Sequence, residues 1–113
     1  MKLVELAFFS DDVDQTAAFY RHLLGKAPDV QGDGMAIFLL GDTKIFIHRS
    51  YPPAEGELPP EDHLAFKVED VDAACQQLID RGLKFEHLPR DYYWGRSAYL
   101  RAPNGTQIEI TQE

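Results

Sequence analysis

Three side chains of the metal-binding kind stand in segments whose apolar residues alternate. Glu5 precedes Leu6 and Phe8, His63 precedes Leu64 and Phe66, and Glu109 lies between Ile108 and Ile110. A carboxylate–imidazole–carboxylate set suits a divalent ion with open coordination positions. Residues two apart on a strand share a face. If Leu6, Phe8, Leu64, Phe66, Val68, Ile108 and Ile110 face a core, then Glu5, Phe9, His63 and Glu109 face the other way. Ile45 and Ile47 turn Phe46 and His48 outward by the same rule. Taken singly, each such Glu or His is what any solvated strand face carries. His22 and His87 read as surface residues, and Asp11, Asp12, Asp14, Asp70 and Asp72 as helix-start chemistry. The residues alone leave a metal centre and a merely solvated face both open.

The elements that must position these groups are organised by an internal repeat. Residue n set over residue n+58 aligns Glu5–Asp14 with His63–Asp72, and six of the ten pairs are identical. Glu5 and His63 therefore occupy one position in two copies, which an incidental solvated residue does not explain. In each copy an alternating segment reads as a half-buried strand. Asp12 or Asp70 follows as N-cap. Apolar residues then recur at helical spacing, as Val13, Ala17, Tyr20 and Leu24, and again as Val71, Ala74, Cys75, Leu78 and Ile79. Gly25 and Gly82 stand where a helix end favours positive φ.

Extended segments close each copy. Met35–Leu40 and 44–48 flank Gly41-Asp42, while 97–101 and 107–111 flank Pro103-Asn104-Gly105, a hairpin signal. Shorter segments near 27–30 and 84–88 complete three strands after each helix. Residues 51–61 hold four of the seven prolines and read as a stiff, extended linker. The expected fold is a single α+β domain: a βαβββ module at 1–50, the linker at 51–61, and a second βαβββ module at 62–113. Two such sheets side by side, curving together, would line a cleft with the outward-facing residues.

Composition narrows the function classes. The 113 residues, 44% hydrophobic and 27% charged, are those of one globular domain. No apolar run approaches the ~20 residues that span a bilayer, and Glu5 interrupts any signal-peptide pattern. A net charge of −8 opposes phosphate backbones and anionic lipid, so neither nucleic acid nor membrane is an expected partner. A lone cysteine, Cys75, suits a reducing, cytoplasmic setting. No phosphate loop, dinucleotide fingerprint, paired-cysteine zinc motif or nucleophile elbow is present. Arg90-Asp91-Tyr92-Tyr93-Trp94-Gly95-Arg96 is the densest aromatic cluster. It reads either as a lid that stacks on a ring and holds an oxyanion, or as a loop anchored by Trp94 against the core or a dimer partner.

Three stretches carry a family resemblance. Ala18-Phe19-Tyr20-Arg21-His22-Leu23-Leu24-Gly25, after Asp-Asp-Val-Asp, resembles the "FYxxxLG" first-helix signature of the vicinal oxygen chelate superfamily, which includes glyoxalases, bleomycin-resistance proteins and extradiol dioxygenases. Asp62 to Asp70 is similar to that superfamily's second-module opening, and Tyr99 to Glu109 to its closing "Y-x-x-D-P-x-G-x-x-x-E". The resemblance implies the glyoxalase/bleomycin-resistance/dioxygenase fold, with His63 and Glu109 as metal ligands and Glu5 at the first-strand ligand position, most often His. The fourth family position falls on Phe46, so a three-ligand set is implied unless His48, further along the strand, serves as an extra ligand. Tyr99 sits where dioxygenases and fosfomycin-resistance thiol transferases have a Tyr near the metal. The dioxygenase His expected before that Tyr is missing from Arg90–Tyr92, and so is the C-terminal extension of the fosfomycin enzymes.

Two functions follow as expectations. One is a metal-dependent enzyme, homodimeric and cytoplasmic, using Zn, Ni, Mn or Fe to hold a small molecule through adjacent oxygens. Glu109 and Tyr99 are its candidate catalytic residues. Phe9, Phe46, Arg90, Tyr92, Tyr93, Trp94, Arg96, Tyr99 and Arg101 are candidate substrate contacts. Its chemistry would be that of a lyase or isomerase, a transferase or a dioxygenase. The other is a metal-free protein, like the bleomycin-resistance members, that sequesters an aromatic or cationic small molecule.

Overall fold

A computed structural model describes residues 1–112. The elements run β1 (Lys2–Ser10), α1 (Val13–Leu24), β2 (Val30–Gly32), β3 (Met35–Leu40), β4 (Thr43–Arg49), β5 (His63–Lys67), α2 (Val71–Asp80), β6 (Phe85–Tyr92), β7 (Gly95–Arg101) and β8 (Gln107–Gln112). The arrangement is α+β, with βαβββ occurring twice in succession. The chain divides into two compact units, an N-terminal one of Glu5–Asp62 and a C-terminal one of Met1–Val4 with the residues from His63 onward.

In the N-terminal unit the strand order is β2-β3-β4-β1, with β1 and β4 parallel and the other pairs antiparallel. Leu6 lies opposite Ile45 and Phe8 opposite Ile47, so alternation gathers all four on the helix side. There Ala36, Phe38, Ile45 and Ile47 pack with Val13 and Ala17 of α1, flanked by Leu6, Phe8, Tyr20 and Leu24. Each large side chain removed from water contributes about 1.5–3 kcal/mol. Asp12 caps α1 by accepting from Gln15 N–H at 3.0 Å. Gly25, at φ 68°, ends it with an N–H donated to the Arg21 carbonyl.

The C-terminal unit has the order β5-β8-β7-β6, again with one parallel pair, β5 with β8. Val71 and Cys75 of α2 pack on Ala98, with Val68 and Phe85 beside them. Asp70 caps α2 through Ala73 N–H at 3.1 Å. The duplicated Asp thus does the same work in both modules.

Three details differ from the sequence expectation. The strand expected near 27–30 begins only at Val30, because Pro28 supplies no ladder N–H. The segment expected near 84–88 continues to Tyr92, passing Pro89 where the pairing with β7 shifts register between His87 and Arg90. The aromatic cluster is consequently not a loop. It is the end of β6, a turn at Tyr93-Trp94 and the start of β7. Gly95 at that turn has φ 139°, and a Cβ there would meet the Gln112 carbonyl oxygen at 3.0 Å. The 51–61 linker is also not wholly extended. Ala54 N–H donates to the Glu57 carboxylate, and Glu57 N–H donates to the Ala54 carbonyl, closing a turn. Among the described residues no helix is long and apolar enough to cross a membrane.

Candidate functional site

Strand register assembles the centre of the C-terminal unit. Ser97 lies opposite Thr111 and Tyr99 opposite Glu109 across β7 and β8. His63 lies opposite Gln107 across β5 and β8. Alternation therefore puts His63, Ser97, Tyr99, Glu109 and Thr111 on one face, away from Ala98 and Val71. Glu109 is only 5% exposed. Its Oε1 stands 3.2 Å from His63 Nε2. Its Oε2 accepts from Ser97 Oγ at 2.8 Å and from Trp94 Nε1 at 3.1 Å. Ser97 has one hydroxyl proton, so the 2.9 Å contact to Thr111 Oγ1 is then donated by the threonine. Burial by itself would push the Glu109 carboxyl up. The bonds from His63 and Ser97, with the neighbouring imidazole and Trp94, outweigh it and hold the carboxyl below its usual range.

Aromatic rings surround this pair. Tyr99, 2% exposed, meets His63, His87 and Tyr92 edge-on at 6.3, 6.1 and 5.8 Å between centroids. Tyr92 stacks on Trp94 at 4.5 Å, and the exposed Tyr93 meets Trp94 edge-on at 4.7 Å. The Arg90 guanidinium sits 4.9 Å from the Tyr92 ring centre. Tyr92 Oη is buried and has no hydrogen-bond partner among the described residues, and burial pushes its pKa up. The other two arginines hold carboxylates. Arg96 forks onto Asp72 at 2.7 and 3.0 Å and reaches Asp91 at 3.0 Å. That pairing holds the Asp72 carboxyl below its usual range. Arg101 forks onto Glu86 at 2.9 and 3.0 Å and donates to the Gly105 carbonyl.

In the N-terminal unit, Glu5 lies opposite Lys44 in the β1–β4 register, with Lys44 Nζ 3.5 Å from its carboxylate. Phe46 and His48 occupy the β4 face opposite Ile45 and Ile47, and Phe9 is the register partner of His48. His22 is exposed on α1 and bonds to the Ala18 carbonyl.

The His63–Glu109 pair fits an ion as well as it fits a hydrogen bond. Two donors each about 2.1 Å from one metal and about 100° apart stand about 3.2 Å from each other. With Oε2 occupied by Ser97 and Trp94, Oε1 is the oxygen left to ligate. Sequence reasoning missed Ser97, Thr111 and the buried side of His87. Ser97 and Thr111 were accessible to it, because each stands two residues from Tyr99 or Glu109 on its own strand. His87 was not, since its inward turn depends on the register shift beside Pro89.

Comparison with known proteins agrees with this architecture. The model of the Glyoxalase/Bleomycin resistance protein/Dioxygenase superfamily matches residues 2–110, and the chain belongs to that superfamily. It is 32% identical to the Bacillus subtilis protein YraH over 97% of both chains. It is 28% identical to the metallothiol transferase FosB of Shouchella clausii, covering 93% of this chain and 75% of that one. A superfamily member of known structure from Vibrio splendidus shares the fold, with a TM-score of 0.71 at 13% identity over 99% of this chain and 98% of that one.

Proposed function

We propose that the protein is a divalent-metal-dependent enzyme of this superfamily, with Glu5, His63 and Glu109 as ligands, each offering one ligand atom. The observation that carries the reading is the divided Glu109 carboxylate: two donors fix Oε2, and Oε1 is presented to His63 Nε2. A structural ion pair needs no such division, whereas a carboxylate that must ligate through one oxygen does. The name of the metallothiol transferase relative supports metal-dependent chemistry on a small molecule. When bound, the ion supplies a Lewis acid for a substrate held through adjacent oxygens. Around it, Tyr99 packs against the His63 ring and fixes its plane, and Ser97 and Trp94 hold the carboxylate. The Tyr92–Trp94 stack excludes water above them. Lyase or isomerase, transferase and dioxygenase chemistry all fit this description, with Zn, Ni, Mn or Fe as the ion.

Metal analysis of protein purified without chelator, followed by calorimetric titration with Zn, Ni, Mn and Fe(II) salts, tests the reading. His63→Ala and Glu109→Gln should each abolish the ion-dependent rise in melting temperature, and His22→Ala should leave it intact. Equal metal binding by wild type and His63→Ala would reject it. We also propose a cytoplasmic homodimer, which sedimentation showing only monomer at high concentration would refute. The second reading, a metal-free protein binding an aromatic or cationic molecule, is favoured by the exposed Tyr93 and the Arg90–Tyr92–Trp94 stack.

A further inference from the structure

The face of β1 and β4 turned away from α1 carries a ring cluster that the metal chemistry does not use. Phe46 and His48, two apart on β4, stack with centroids 5.6 Å apart and planes 16° from parallel. Phe9 leans on the imidazole at 5.4 Å from the adjacent strand. Tyr51, just beyond β4, meets both Phe9 and His48 edge-on at 6.2 Å. The tyrosine is itself fixed, because its hydroxyl donates to the Leu58 carbonyl at 3.0 Å. All four residues are half-buried.

The imidazole in this cluster has a defined polarity. His48 Nδ1 lies 2.7 Å from the Arg49 carbonyl oxygen, which can only accept. Nδ1 therefore carries the proton, and in the neutral ring Nε2 is left as an acceptor. Core packing does not require such a residue. Phenylalanine would fill the same space between Phe46 and Phe9 without a nitrogen whose lone pair needs a partner when covered.

We propose that this face binds a planar aromatic ligand bearing a hydrogen-bond donor, a phenolic hydroxyl or a ring N–H, with His48 Nε2 accepting from that donor. The flat faces of Phe46 and Phe9 supply stacking area, and the Nδ1–carbonyl bond keeps the acceptor aimed and in one tautomer. A ligand of the same shape without the donor leaves Nε2 desolvated and unpaired, so the site discriminates by that single bond. Neither Glu109 nor a bound ion enters the argument. The inference goes beyond the proposed enzyme activity and does not depend on it.

The test uses the full chain in excess chelator, with phenol and its methyl ether anisole as probes at millimolar concentration, followed by NMR. Phenol should shift the ring signals of His48, Phe46 and Phe9 and bind about tenfold more tightly than anisole, the factor about 1.4 kcal/mol provides. His48→Phe, which keeps a ring at the position, should lower phenol to the affinity of anisole while the Phe46 and Phe9 signals still respond. His22→Ala should change nothing. Equal affinity of the wild type for the two probes overturns the proposal. So does a phenol preference that survives His48→Phe, or an absence of shifts at these three rings. Chelator removes any metal contribution, so this outcome and that of the metal titration are independent.

Discussion

Ser97→Ala is the sharpest probe of the Glu109 centre. Ser97 is fully buried and makes two bonds with that one oxygen, to the Glu109 carboxylate at 2.8 Å and with Thr111 at 2.9 Å. A bond to a charged acceptor is worth about 1.5–3 kcal/mol and a neutral one about 1 kcal/mol. The cavity left is a single oxygen, and Trp94 Nε1 still serves Oε2, so part of the loss is recovered. The expected cost is about 2–3 kcal/mol, or roughly 10 °C in melting temperature for a chain of this size. Urea titration followed by circular dichroism measures it, and the fluorescence of the sole tryptophan, Trp94, reports the same network from within. In a Glu109→Gln background the acceptor is uncharged. There the same serine substitution should cost less by about 1 kcal/mol or more. A cost below about 0.5 kcal/mol, or equal costs in the two backgrounds, would refute the claim that the serine acts through the carboxylate. If the metal reading also holds, Ser97→Ala should weaken ion binding about tenfold or more by releasing Oε2.

Tyr92→Phe removes a buried hydroxyl that has no protein partner, so stability should stay within about 1 kcal/mol of wild type or rise. A loss beyond that, by urea titration, would show that the hydroxyl is satisfied in solution. The Cys75 thiol is pushed up to about 11 by burial, with Asp72 adding and Arg96 opposing. The folded state thus holds its proton where the unfolded chain has released it. The contribution is constant below pH 9.0 and turns against folding as pH rises from there to about 11. Cys75→Ala should flatten that alkaline limb of a stability–pH curve. A thiol reagent at pH 8 should label the native protein only at the rate of its opening, and immediate labelling would contradict the burial.

What the sequence disclosed depended on whether local rules agreed with tertiary ones. Asp12 and Asp70, the two helices and the strands on either side of Gly41-Asp42 and Pro103-Asn104-Gly105 were legible, because capping, periodicity and turn chemistry are local and the repeat states them twice. The inward faces followed from alternation, which placed Ile45 and Ile47 on one side and Phe46 and His48 on the other. Beyond Leu88, the same rules misplaced the end of β6. Pro89 argues against a ladder residue, yet β6 has only β7 as a neighbour, and the register shift between His87 and Arg90 accommodates the missing N–H. The candidate site was misread on that account. A loop would leave Trp94 to dock wherever it found apolar surface, whereas a hairpin fixes its indole relative to β8. Gly95 sets the approach, since only a residue without Cβ clears the Gln112 carbonyl at that φ. Trp94 Nε1 then reaches the Glu109 carboxylate from 15 residues away. The aromatic cluster and the acid, which the sequence presents as separate features, are thus one piece of machinery, joined by a glycine that carries no chemistry of its own.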